Sequence, residues 1–202
     1  MKTTNKIKTV AIAALMAAGS AWAAPVELVS NGSFEENAQG AGSWAIYNGL
    51  TGWSGNIELR NNVAGTAADG VNFVELDTTG NSSISQSIQT ALNQTYTLSF
   101  QFQDRAGVAS SSQGLDVSWN GATVGSVNNS LNGGWQTVTY TLIGNGSMEA
   151  LKFTATGTSD SYGTSLDNVS LTAAVPEPET YGMLLAGLAA IGLVVRRRKA
   201  GK

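Results

Sequence analysis

The chain has 202 residues, with 14 acidic and 11 basic side chains and neither cysteine nor histidine. Eight of the basic residues sit in the two ends, so the middle keeps Arg60, Arg105 and Lys152 against twelve acids, a net charge of −9. Such a surface repels phosphate backbones and argues against nucleic acid as a partner; the missing residue types exclude disulfides, a Ser-His-Asp triad and zinc held by His or Cys. Any chemistry would rest on carboxylates. In chain order, residues 1–23 come first: Lys2, Lys6 and Lys8 precede an apolar run of about a dozen residues and then small side chains, the order of a secretory signal peptide. Ala21-Trp22-Ala23 supplies the A-x-A site, which places cleavage by signal peptidase between Ala23 and Ala24.

Residues 24–174 form the second region, and no long stretch in it has helical periodicity. Instead, short alternating apolar runs are separated by clusters of Gly, Asn, Ser and Asp, which predicts an all-β fold. The runs are VELVS, NIELR, VNFVELD, SISQSIQ, YTLSFQF, GLDVSW, TVGSV, WQTVTYTLI, ALKFTAT and SLDNVSL. So many strands need two packed sheets, an antiparallel β-sandwich. Asn120-Gly121 is the strongest hairpin signal, because both residues tolerate the positive φ of a type I′ turn. The segment GVASSSQG from Gly107 reads as a flexible surface loop.

Alternation also assigns faces. In YTLSFQF, Tyr96, Leu98, Phe100 and Phe102 point to the core, leaving the Gln101 and Gln103 amides on the other face, where they could bond sugar hydroxyls or simply meet solvent. In VNFVELD, Val74 and Leu76 are core, and Phe73, Glu75 and Asp77 line the opposite, solvent-facing side. Two carboxylates are what glycoside hydrolysis requires, but side chains two apart on one strand are poorly placed to flank a substrate. Trp53, Trp119 and Trp135 each continue an apolar face and are assigned to the core. Trp44, Tyr47 and Tyr162, in glycine-rich or turn surroundings, are the candidates for stacking on sugar rings.

The third region, residues 175–202, opens on Pro176-Glu177-Pro178, which the prolines keep extended. An apolar run from Tyr181 to Val195 follows, about fifteen residues, or roughly 22 Å as a helix against a ~30 Å hydrocarbon core. It predicts a short, marginal transmembrane helix. Arg196, Arg197, Arg198 and Lys199 close it, a cluster that favours the cytoplasmic side of a membrane and leaves the middle region outside.

Pro-Glu-Pro, a short apolar helix and an arginine cluster, in that order, resemble the PEP-CTERM sorting signal of Gram-negative bacteria. The resemblance implies that an exosortase processes the tail at Pro176, Glu177 and Pro178, that the tail holds the protein at the inner membrane until then, and that the mature protein works in the extracellular polysaccharide or biofilm. A permanent single-span anchor is the alternative. A second resemblance joins the start and end of the middle region: Asn31-Gly32-Ser33-Phe34-Glu35 and Leu166-Asp167-Asn168-Val169 are similar to motifs of galactose-binding-like jelly rolls, which include carbohydrate-binding modules. It implies that the first and last strands meet and that calcium is held there, with Glu35 and Asp167 as ligands and carbonyls near Asn31 and Ser33 completing the shell. The competing role for both acids is hydrogen bonding in turns. The expectation is therefore a secreted, non-enzymatic protein that binds a neutral glycan, against a purely structural surface protein, with a carboxylate-dependent hydrolase a distant third.

Overall fold

The alternating runs become strands in the computed structural model, which describes residues 25–128 and 133–173 together with 182, 186–188 and 191. The strands are β1 (Trp44–Leu50), β2 (Trp53–Asn61), β3 (Asn72–Glu75), β4 (Ser83–Gln89) and β5 (Thr95–Gln103). They continue as β6 (Leu115–Trp119), β7 (Ala122–Val127), β8 (Gln136–Ile143), β9 (Met148–Ala155) and β10 (Ser165–Ala173). Every pairing is antiparallel, in the order β7-β6-β9-β4-β2-β3-β10-β5-β8, with β1 added to β2.

This ladder folds over into two layers because β2 turns a corner. Its first part pairs with β4 through Ser54 and Gly55, and its second part pairs with β3 from Glu58 to Asn61. Gly55 sits at the bend with φ 119°, and a Cβ there would lie 2.1 Å from the Ser83 carbonyl oxygen. Only glycine satisfies both demands. The layers meet where Phe100 of β5 packs edge-on against Phe153 of β9, ring centroids 5.1 Å apart. At the two ends of the ladder, Gly125 of β7 makes room for Tyr140 of β8, since an added Cβ would lie 2.1 Å from the tyrosine hydroxyl. The result is the expected all-β sandwich of jelly-roll type.

Register explains the core. Leu59, Val74, Leu166 and Phe102 are side by side across β2, β3, β10 and β5, and all four are buried. Tyr96, Leu98 and Phe100 continue the buried face of β5, as their spacing predicts. The β6–β7 turn has φ 49° at Asn120 and 83° at Gly121, the left-handed pair that this hairpin needs.

The first and last segments do meet, although VELVS is not a strand. It makes one bridge, Glu27 to Thr172, and Leu28 N donates to Leu171 O at 3.0 Å. The Glu27 carboxylate accepts the N–H groups of Leu28, Val29 and Leu171, which replaces a regular ladder. The two sequence motifs form a lock beside this contact. Asn31 is left-handed (φ 53°), Gly32 lies so close to β10 that a Cβ would fall 1.8 Å from Val169 O, and Phe34 is buried in the core. On β10, Asn168 is left-handed (φ 49°) at a bulge, and Val169 N returns a bond to Gly32 O.

Three other expectations are corrected. The stretch containing Trp44 and Tyr47 is a strand, β1, rather than a turn. GVASSSQG is tied down: it holds a single 3₁₀ turn at Ser110–Ser112, with Ser112 and Gln113 buried and Ser112 Oγ donating to Asp160 at 2.7 Å. Finally, the second face of VNFVELD is not solvated, since Phe73, Glu75 and Asp77 are as buried as Val74 and Leu76. Loops fold over that face, which periodicity alone does not reveal. Among the described residues no helix is long and apolar enough to cross a membrane. Of the expected transmembrane helix only residues 182, 186–188 and 191 are described, and these are helical; the rest of it, the expected signal helix, Ala23, Ala24, Pro176, Glu177, Pro178 and the basic cluster Arg196 to Lys199 lie outside the described residues.

Candidate functional site

The loops over the outer face of β2 and β3 leave a cleft of about 350 Å³. Its apolar side comes from β1, where Trp44 and Ile46 share the outward face and Trp44 is 56 % exposed. Tyr162, 48 % exposed, lines the cleft from the loop before β10, and Val63 and Ala64 line it from the loop before β3. Hydroxyls of Thr78, Thr79 and Ser161 add polar groups.

Charged side chains form the floor. Glu58 and Arg60 alternate on β2 with the buried Ile57 and Leu59, so they point to the outer face. Arg60 Nε donates to Glu58 Oε1 at 2.7 Å, and its Nη1 lies 2.8 Å from Glu75 Oε2. Arg105 Nη1 reaches Glu75 Oε1 at 3.4 Å, and its guanidinium lies 4.6 Å from the centroid of the Tyr162 ring. Arg105 thereby ties the floor to the aromatic wall by a cation–π contact. Burial pushes Glu75 up to about 7, against the pull of Arg60 and Arg105 and with some help from Glu58. A buried network of this kind contributes little net stability, and its position under a cleft makes the cleft the candidate functional site.

The walls are held by groups that the sequence suggested for other work. Glu35 Oε1 accepts the N–H groups of Val71 and Asn72 at 2.8 and 2.6 Å. Asp167 Oδ2 accepts those of Ala68 and Asp69 at 2.8 and 3.0 Å, while its Oδ1 takes Asn168 N at 2.7 Å. Both carboxylates thus clamp the 62–71 loop. Burial raises Asp167 to about 7 although three backbone N–H groups oppose the shift. Trp135 is another brace: it is half-buried, packs edge-on against Phe73 at 5.8 Å and donates Nε1 to Thr66 O at 2.8 Å. It seals the loop, whereas the sequence assigned it to the sandwich core. Trp53 and Trp119 are buried in the core as expected.

For calcium the fit is poor. Three of the four carboxylate oxygens of Glu35 and Asp167 already accept backbone N–H groups, which a cation would repel. Among the described residues no three acidic groups gather around one point. The turn-holding role, the competing expectation for these acids, accounts for the contacts they make.

Of the candidate sugar-binding residues, Trp44 and Tyr162 line the same cleft. Tyr47 faces the other way, packing on the core with its hydroxyl donating to Gln39 at 2.8 Å. Gln101 and Gln103 do not line the cleft: Gln101 accepts a bond from Asn168, and Gln103 donates to Gly133 O. Asp77 is not available as a hydrolase carboxylate partner, since its Oδ2 is held by the N–H groups of Asp160 and Ser161. Glu58, Arg60, Arg105 and Ile46 were missed. The signal for Glu58 and Arg60 was present, two charges two apart on one strand whose other face is apolar.

Fold and site together define an antiparallel jelly-roll domain with a preformed aromatic cleft, followed by a sorting tail. The chain belongs to the family described as protein of unknown function DUF642, whose model matches residues 27–172, and residues 174–199 match the PEP-CTERM protein-sorting motif. That motif marks an exported protein sorted to the cell envelope. Similar segments occur in multifunctional-autoprocessing repeats-in-toxin proteins of Vibrio vulnificus, 33% identical over 144 residues, and of Vibrio cholerae serotype O1, 32% over 148. These matches cover 70% and 72% of this chain, which spans only 3% of the length of each toxin. Among solved structures, a Stig cyclase, Fisc, from Fischerella sp. TAU superposes with a TM-score of 0.56 at 18% identity, covering 76% of this chain and 100% of its own. A family 35 carbohydrate-binding module from Clostridium thermocellum gives 0.48 at 18% identity, covering 75% and 100%. The first of these shows a shared fold.

Proposed function

We propose that this protein is a non-enzymatic, exosortase-processed surface or matrix protein that binds carbohydrate of the extracellular polysaccharide. The observation that carries the reading is the cleft itself, with Trp44 and Tyr162 exposed on its walls above Glu58 and Arg105. A sugar ring has a flat CH face that suits an indole or phenol, and hydroxyls that need fixed donors and acceptors. Arg105 can donate and Glu58 can accept; the threonine and serine hydroxyls can do both. The volume is at the small end of the range of about 300–1,000 Å³ usual for ligand sites.

Rigidity favours binding over a purely structural role. Glu35, Asp167 and Trp135 all spend their polar groups on holding one cleft wall, which lowers the ordering cost of a ligand. Hydrolysis is disfavoured by the floor, where Glu58 and Glu75 are both drawn to Arg60 rather than set on opposite sides of an open substrate position. Export followed by exosortase cleavage at Pro176-Glu177-Pro178 would release the domain from the inner membrane of a Gram-negative cell into its matrix.

Affinity electrophoresis tests this reading. The protein should be retarded in a gel containing the host's extracellular polysaccharide, and Trp44→Ala or Tyr162→Ala should abolish the retardation at unchanged melting temperature. Retardation that survives both substitutions would contradict the proposal, and so would its absence in the wild type.

A further inference from the structure

Apart from Val71 in the 62–71 loop, the exposed large apolar side chains of the described sandwich residues fall into two groups. Trp44, Ile46 and Tyr162 belong to the cleft. Val26, Leu92, Ile143 and Met148 lie elsewhere, with Leu92 69 % and Ile143 64 % exposed. The second group shares one end of the sandwich. Leu92 is in the turn between β4 and β5, and Ile143 and Met148 flank the turn between β8 and β9. The two turns are bonded together: Thr90 N donates to Ser147 O, Asn93 N to Gly144 O, and Gly144 N to Gln94 O, at 3.0, 2.8 and 2.9 Å. Residues 90–94 and 143–148 contain no charged side chain, and the adjoining Glu149 is buried, accepting from Thr90 Oγ1 and Asn145 N behind the turns.

Register places this tip at the end of the sandwich where β10 finishes. Ala173, the last residue of β10, pairs with Tyr96, which pairs with Leu142, while the neighbouring pair is Thr95 with Ile143. Val26 precedes Glu27, which bridges Thr172, so it belongs to the same end. Ser165, at the other end of β10, pairs with Glu75 under the cleft. Over the nine residues of β10 the two ends are separated by about 27 Å.

We infer that the tip formed by Leu92, Ile143 and Met148 is a lipid-facing surface that rests on the bilayer while the tail is membrane-held, with the glycan cleft directed away from it. The inference rests on reading the 174–199 motif as a membrane-held tail. Residues 174–180 are the only chain between Ala173 and the apolar run at Tyr181. Seven residues span at most ~25 Å, so this end of the sandwich stays near the membrane. The apolar run is itself short for a ~30 Å core, and a shallowly seated uncharged tip adds apolar contact that the run lacks. The domain charge of −9 opposes attraction to anionic lipid, so the contact depends on apolar area rather than on charge.

The absence of cysteine allows single-site labelling. Full-length chain carrying Leu92→Cys, Ile143→Cys or Trp44→Cys is labelled with bimane and reconstituted in phosphatidylcholine vesicles, with flotation reporting attachment. Brominated lipid should quench the label and shift its emission to the blue at 92 and 143, and do neither at 44. If the chain floats but 92 and 143 respond no more than 44, the tip does not face lipid, although the tail reading stands. Failure to float removes the tail reading and the inference with it. A blue shift at 92 that grows with protein concentration without lipid would assign the tip to a second copy and overturn the inference.

Discussion

Arg60 is the residue on which the cleft floor depends, because it faces Glu58 and Glu75 at once from a fully buried position. Removing one partner of a buried ion network leaves charge uncompensated, at a cost of about 3–5 kcal/mol. Arg60→Ala should therefore lower stability by about that amount in chemical denaturation; a loss within the range of ordinary surface substitutions would contradict this account of the floor. Glu75 and Asp167 make a second prediction. Both titrate near 7 in the folded protein, raised from 4.5 and 3.8. Between those values the native state holds protons that the unfolded chain has released, so stability falls as pH rises. The contribution is complete below the unfolded values and lost as pH passes through about 7. Melting temperature should rise as pH is lowered from about 8 to 5, and Glu75→Gln should flatten that rise. A wild-type melting temperature that drops steadily over the same range would oppose the assignment.

Strand β1 divides its aromatic residues between two faces, Trp44 turned outward to the cleft and Tyr47 inward to the core. Tyr47→Ala removes a ring packed on the core and a bond to Gln39, so thermal melting should show a loss of about 2 kcal/mol or more, while Trp44→Ala should change melting little. Equal losses would mean that Trp44 is structural too. The 62–71 loop offers a different test, because Glu35 and Asp167 hold it through backbone N–H groups. Excess chelator should leave the melting temperature unchanged. A drop of several degrees would return a cation to these acids. Much of this architecture could be read from residue order: nine of the expected strands, the Asn120-Gly121 turn and the inward faces of β5 and β6 all follow from alternation. β1 escaped because Trp44 and Ile46 on its outer side are apolar like Tyr47 on its inner side, which erases the pattern. The outer face of β3 escaped because loops distant in sequence bury it. Trp44 and Tyr162 were recognisable as candidates from glycine-rich and turn-rich sequence, whereas their sharing one cleft depends on register that no local rule contains.

In the molecule as a whole, charge, architecture and sorting agree. A domain of net charge −9 without histidine or cysteine repels nucleic acid and lacks the usual nitrogen and sulfur ligands of zinc, while a neutral glycan meets no such repulsion. Its first and last segments are locked together at Gly32 and Val169, so the sorting tail leaves from one end of a closed sandwich while the cleft lies over Glu75 at the other. The indole N–H resonances of Trp44, Trp53, Trp119 and Trp135 provide the most direct measurement of what that cleft does. On titration with fragments of the extracellular polysaccharide, the Trp44 resonance should move while those of the buried Trp53 and Trp119 stay in place. Saturating polysaccharide that leaves Trp44 unmoved would contradict the account.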